Sequence, residues 1–269
     1  MYLGIKGLSK KQRDAVRSLG FGKLLSFQVD GIPSKLGHFV VDNFDPEEMA
    51  INLGSDIIKV DDDSIHQLLG VPNSGVILET LKYKRNFTGN AKSWKAMYEG
   101  SYVTTSQVVS RMHDNGDDDG IMFKLDFLTL FITTIVEAQD HGKCKLEFLH
   151  HIDDDTDLSD INWCSYITRL IKNCKNGWKR CDKNSFFTGA LTILVLLYVD
   201  RFNVPPLNVE RTTTPLKFWT MERLRSRAKL EIKNGGFGKG CLRDQYLDLN
   251  GDESEDEHGN KDTPQDLTV

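Results

Sequence analysis

The stretch FFTGALTILVLLYV, Phe186 to Val199, narrows most what this chain folds into. A helix built from it is apolar on nearly every side, so other protein must surround it. Its 14 residues fall short of the ~20 that a bilayer-spanning helix needs. A buried core helix satisfies both constraints, and neighbouring helices must then offer it apolar faces. Upstream, Ile161, Cys164, Ile167, Ile171, Cys174 and Trp178 recur at spacings of three and four, one face of an α-helix. Ile121 to Gln139 reads as a long apolar helix. Three such segments are enough to form the centre of a helical domain.

Shorter elements carry their own punctuation. Ser9-Lys-Lys-Gln12 has the residues of a capping box, which predicts a helix over about Lys10 to Leu19 with a stop at Gly20. A short helix should follow Pro33 and end near Asn43, and MAINLGSDIIKV reads as two strands joined at Gly54-Ser55. In KVDDDSIHQLLGVP, an Asp among 61 to 63 caps a helix containing Ile65, Leu68 and Leu69. Gly70 takes the left-handed position after it, and Val71-Pro72 prevents continuation. His66 is then a boundary residue rather than a base. AKSWKAMYEG and TSQVVSRMHD look like two further helices. The expected fold is mainly α: a single multi-helix domain over residues 1–240 with a small β-hairpin.

Charge separates the body from the end of the chain. Residues 244–269 hold nine Asp/Glu and one Lys, a net of −8 against −5 for the whole, so residues 1–243 carry +3. With almost no bulky apolar residue after Leu249, residues 241–269 are expected to be a disordered acidic tail. The five cysteines are an odd count without disulfide-framework spacing, and the start has no apolar leader, which fits a reducing compartment, nucleus or cytoplasm. No membrane partner is indicated.

Candidate chemistry is sparse. Asn115 to Asp126 resembles a calcium loop, but begins with Asn and ends with Asp in place of the bidentate Glu. His141, Cys144, His150 and His151, followed by Asp153, Asp154, Asp155 and Asp157, supply zinc-type donors without the tight paired spacing of a structural site; the aspartates read better as a loop capping a helix that begins near Leu158. Gly235 to Gly240 lacks the first glycine and the hydroxyl of a phosphate loop, and reads as a flexible linker. No catalytic residue, metal ligand, cofactor or small-molecule substrate is assigned, and the chain is read as no enzyme. Basic residues do concentrate in KFWTMERLRSRAKLEIK, where Lys217, Arg223, Arg225, Arg227, Lys229 and Lys233 follow a helix start at Thr214-Pro215 and are candidate nucleic-acid contacts.

Two blocks of the chain resemble a known family. The first includes Gly20-Phe-Gly22 before an apolar helix, the hairpin at Leu53-Gly54, the Asp-rich turn and Leu68-Leu-Gly-Val-Pro72. The second is INWCSYITRLIKNCKNGWKRCDKNSFFTGALTILVLLYVDRF, with Trp163, Trp178, Phe187, Leu196, Tyr198 and Asp200. Together they are similar to the plant mobile domain, also called aminotransferase-like, and to the transposon-derived region preceding ubiquitin-like-protein-specific protease modules. The resemblance implies a mostly helical domain of mobile-element origin, resident in the nucleus and binding protein or nucleic acid. Alternatively, it implies the amino-terminal recognition part of a cysteine isopeptidase without its catalytic module.

Overall fold

A computed structural model describes residues 1–138, 142–175, 187–204 and 213–243. Short helices α1 (Tyr2–Lys6) and α2 (Lys10–Ser18) open the chain, and α3 (Ser34–Asn43) leads into strands β1 (Phe44–Asp45), β2 (Ala50–Leu53) and β3 (Asp56–Lys59). Helices α4 (Asp62–Leu69), α5 (Gly89–Ala96), α6 (Thr105–Asp114) and α7 (Ile121–Phe131) follow, then α8 (Trp163–Asn173) and α9 (Leu191–Arg201). Strand β4 (Phe202–Asn203), helices α10 (Pro215–Phe218) and α11 (Met221–Lys233) and strand β5 (Cys241–Leu242) complete the described elements.

The mainly helical fold expected from the sequence is present, and α9 lies at its centre. Ile193 to Val199 are all buried, and the helix packs against α3, α4, α10 and the end of α7. Each fully buried Leu, Ile or Val there contributes roughly 1.5–3 kcal/mol, so the apolar run does organise the core. Phe21 joins three parts of that core, meeting Phe127, Phe131 and Trp163 edge-on at centroid separations of 5.7, 5.3 and 5.8 Å. The turn before Phe21 needs glycine: Gly20 has φ +81°, and a Cβ there would stand 2.7 Å from Pro72 Cγ.

Local punctuation works as the sequence implies. Ser9 and Gln12 form the capping box of α2. Asp61 and Ser64 form another at α4, with Gly70 left-handed at φ 69° behind it. His66 donates from Nδ1 to the Val71 carbonyl at 2.7 Å, tying the same exit turn.

The expected hairpin joins β2 and β3 at Gly54-Ser55, and β1 extends it to a three-stranded antiparallel sheet with Phe44 opposite Ile51. Three expectations need correction. The apolar segment from Ile121 stops being α-helical after Phe131, where a π turn spans Ile132–Val136; Gln139 lies outside the described residues. Asp157 caps only a single 3₁₀ turn at Leu158–Asp160, and α8 starts at Trp163 behind Asn162, whose side chain accepts from Ser165 N. Cys241 and Leu242 pair with Asn203 and Phe202, so the folded body runs past 240 to Arg243. Residues 244–269, the acidic tail of the sequence, lie outside the described residues, as do Trp178, Cys181 and His141.

Candidate nucleic-acid interface

The basic segment is two helices rather than one. Pro215 sits at the first position of α10 behind Thr214, but Trp219 is extended at ψ 121° and Thr220 restarts the chain as N-cap, accepting from Arg223 N at 3.2 Å. The break turns the buried Trp219 ring inward, against the expectation of one continuous helix.

Helix α11 has two faces of different character. Leu224, Arg227, Ala228 and Glu231 are buried. At 100° per residue, Arg225, Lys229 and Lys233 fall on the opposite side, and all three are exposed. Four-residue steps place their Cα atoms about 6 Å apart along the axis and about 40° further round it, giving a cationic row inclined to the helix axis. Among the described residues none of the three forms an ion pair. Arg223 is exposed too, but spans the helix break: Nη1 donates to the Phe218 carbonyl at 2.6 Å and the guanidinium lies 4.4 Å from the Phe218 ring centre. Lys217 is exposed on α10.

Arg227 is no surface contact, because it is 1 % exposed. Its Nε donates to Glu231 Oε1 at 2.7 Å, while Nη1 and Nη2 reach the carbonyls of Val199 and Phe202 at the end of α9. Tyr198 donates to Glu231 Oε2 at 2.5 Å and accepts from Gly238 N at 3.0 Å. Burial and the Glu231 charge push the Tyr198 phenol up, keeping it a donor. This buried network fixes α11 to α9 and so aims the exposed row at solvent. The glycine segment takes part: Phe237 stacks on Phe39 at 5.2 Å, so Gly235 to Gly240 is a packed turn and not a flexible linker.

A second buried polar cluster disposes of the calcium-like loop. Asp126, its twelfth position, is fully buried on α7. It accepts from Trp94 Nε1 at 2.6 Å, from the Tyr98 hydroxyl and from Arg111, which also binds Asp118 at 3.1 Å. A carboxylate with that many protein donors is not turned toward a cation in the loop. Burial raises the Asp126 pKa to about 6 despite those donors.

Several of the zinc-type donors have protein partners. His150 and His151 donate from Nδ1 to the Lys84 and Leu81 carbonyls at 2.7 and 3.2 Å, Asp153 pairs with Lys84, and Asp154 accepts from Asn90 N at 2.6 Å. Asp153, Asp155, Asp157 and Asp160 line a cleft of about 380 Å³ together with Val76, Leu81 and Ile161. Among the described residues no three His, Cys, Asp or Glu side chains converge as metal ligands would. Burial pushes the thiols of Cys144, Cys164 and Cys174 up to about 11, 12 and 12, the reverse of what a thiolate nucleophile requires.

Sequence reasoning missed the Arg227 and Asp126 networks. The one local signal for the first is the spacing of four residues from Arg227 to Glu231, flanked by the apolar Leu224 and Ala228. Asp126 meets Trp94 and Tyr98 across 32 and 28 residues, for which no local signal exists.

Among the described residues no helix is long and apolar enough to cross a membrane. No curated protein and no solved structure matches the chain. Residues 2–195 match a family described as a domain of unknown function, DUF8566. That segment runs from α1 into α9, so the basic α10 and α11 lie beyond it. The match covers well over half of the chain, which therefore belongs to the DUF8566 family.

Proposed function

We propose that the chain is a non-catalytic interaction domain that contacts nucleic-acid phosphates through the exposed face of α11. The observation that carries this reading is the row Arg225, Lys229 and Lys233, held outward by an arginine of the same helix buried on the opposite face. Phosphate recognition needs cations at regular reach of a regular polyanion, and sequence-independent binding needs little else. The +3 of residues 1–243 is modest, so affinity should be weak, with Kd roughly 10⁻⁴–10⁻⁶ M at physiological salt, and strongly salt-dependent. The raised thiols of Cys144, Cys164 and Cys174 favour an interaction role over catalysis by those cysteines.

The resemblance to the plant mobile domain supplies the cellular part of the proposal, a nuclear protein of mobile-element origin. Lysine-modification footprinting with and without a short DNA duplex tests the contact. Lys229 and Lys233 should be protected while the exposed Lys11 and Lys82 react as before; unchanged labelling of all four would remove α11 as the interface.

A further inference from the structure

We infer that the acidic segment Asp252 to Glu257 of this same chain docks on the Arg225, Lys229 and Lys233 face and competes with phosphate for it. The inference rests on the reading of that face as an anion-binding surface and adds an intramolecular regulator. Three observations combine. The face is an exposed helix side whose three cations have no ion-pair partner among the described residues. DESEDE, residues 252–257, has five carboxylates in six residues and is the densest opposite charge in the chain.

The third observation is where the described chain departs. Leu242 pairs with Phe202, and the Phe202 carbonyl accepts from Arg227 on α11. The exit is thus about one strand spacing, ~5 Å, plus one arginine side chain from the middle of the helix. Arg243 holds that exit in place, its N donating to the Arg201 carbonyl at 2.7 Å and its Nη2 to Asn203 Oδ1 at 2.7 Å. Eight residues, Asp244 to Gly251, separate Arg243 from the start of the acidic run, a tether that reaches at most about 30 Å when extended. A helix with its side chains is about 10–12 Å across. The tether therefore reaches around α11 to its far face, and six extended residues cover the row of about 12 Å between Arg225 and Lys233. Because the partner is tethered, its effective concentration is in the millimolar range and weak charge pairing suffices.

Carbodiimide coupling of carboxylates to lysines in the full chain, mapped by mass spectrometry, tests this directly. Mixing isotope-labelled and unlabelled protein separates links within a chain from links between chains. Expected are intrachain links from residues 252–257 to Lys229 and Lys233 that disappear in high salt. A full-length variant with Asp252, Glu253, Glu255, Asp256 and Glu257 changed to Asn or Gln should bind a DNA duplex about tenfold more tightly at low salt. Absence of links to Lys229 and Lys233 while other lysines couple, or links only between chains, would overturn the inference. If the links form but neither protein binds DNA, the docking stands and the nucleic-acid reading fails. If both proteins bind DNA equally and the links are missing, the docking alone fails.

Discussion

Arg227 and Glu231 stand one turn apart on α11, each 1 % exposed, joined at 2.7 Å in a site closed by Tyr198 and Trp219. Their pairing is what separates the inward from the outward arginines of a segment that is basic throughout. Removing one partner leaves the other charged and buried. Arg227→Met should therefore cost about 3–5 kcal/mol, whereas Arg227→Met with Glu231→Leu should cost less than the single change. Arg225→Met should leave the unfolding free energy within about 0.5 kcal/mol of the wild type. Urea denaturation of the four proteins checks the order; equal effects of Arg225→Met and Arg227→Met would mean that the two side chains do not differ in burial.

Asp126 gives a pH dependence with a definite sign. Its folded-state pKa of about 6 lies above the ordinary carboxylate value. The native state therefore binds more protons than the unfolded chain between about pH 4 and 6, and this contribution to stability is complete below that window and lost as pH rises through it. Relative to Asp126→Asn, the wild type should lose stability from about pH 4 to 6.5. A gap that moved the other way would show the carboxylate to be ionised throughout.

Arg111 should matter most when Asp126 is charged. Arg111→Met removes the cation beside a fully buried carboxylate and leaves Asp118 without its partner. The expected penalty is about 3–5 kcal/mol near pH 7.5, shrinking near pH 5, where Asp126 is protonated. Chemical denaturation at both pH values reads the difference, and a penalty independent of pH would argue against the Asp126 ion pair as its source.

At the α4 entrance, Asp61 accepts from Ser64 N at 2.8 Å and Ser64 Oγ accepts from Asp61 N at 2.9 Å. Asp61→Ala should cost about 0.5–2 kcal/mol. Asp62→Ala, which removes a first-turn charge without the cap, should cost less. Thermal melts rank the two, and the reverse order would assign the cap wrongly.

What the sequence disclosed is local, and what it hid is long-range. The caps at Ser9 and Asp61, the left-handed Gly70 and the strands flanking Gly54 depend on residues within a few positions of each other, so their chemistry is written in order. The apolar run around α9 was legible because no surface could accommodate it. The break at Trp219 was missed although Thr220, an N-cap residue type, follows it directly; the inward turn of the ring is set by its packing against Arg227, which the local order does not show. Arg227 looked like its neighbours because its acceptors, Val199 and Phe202, lie 28 and 25 residues away. Phe237 disguised a packed turn as a linker for the same reason: its partner Phe39 belongs to α3.

The most direct test of the central claim is the salt dependence of DNA binding by the full chain and by Arg225→Gln/Lys229→Gln/Lys233→Gln, both carrying the neutralised 252–257 segment. Each phosphate neutralised contributes about −0.9 to the slope of log K against log salt on duplex DNA. Removing the three cations should flatten the slope by about 2–3, with Arg227 still in place to keep the helix folded. Equal slopes in the two proteins, or no binding by either at low salt, would contradict the assignment of α11 as a nucleic-acid interface.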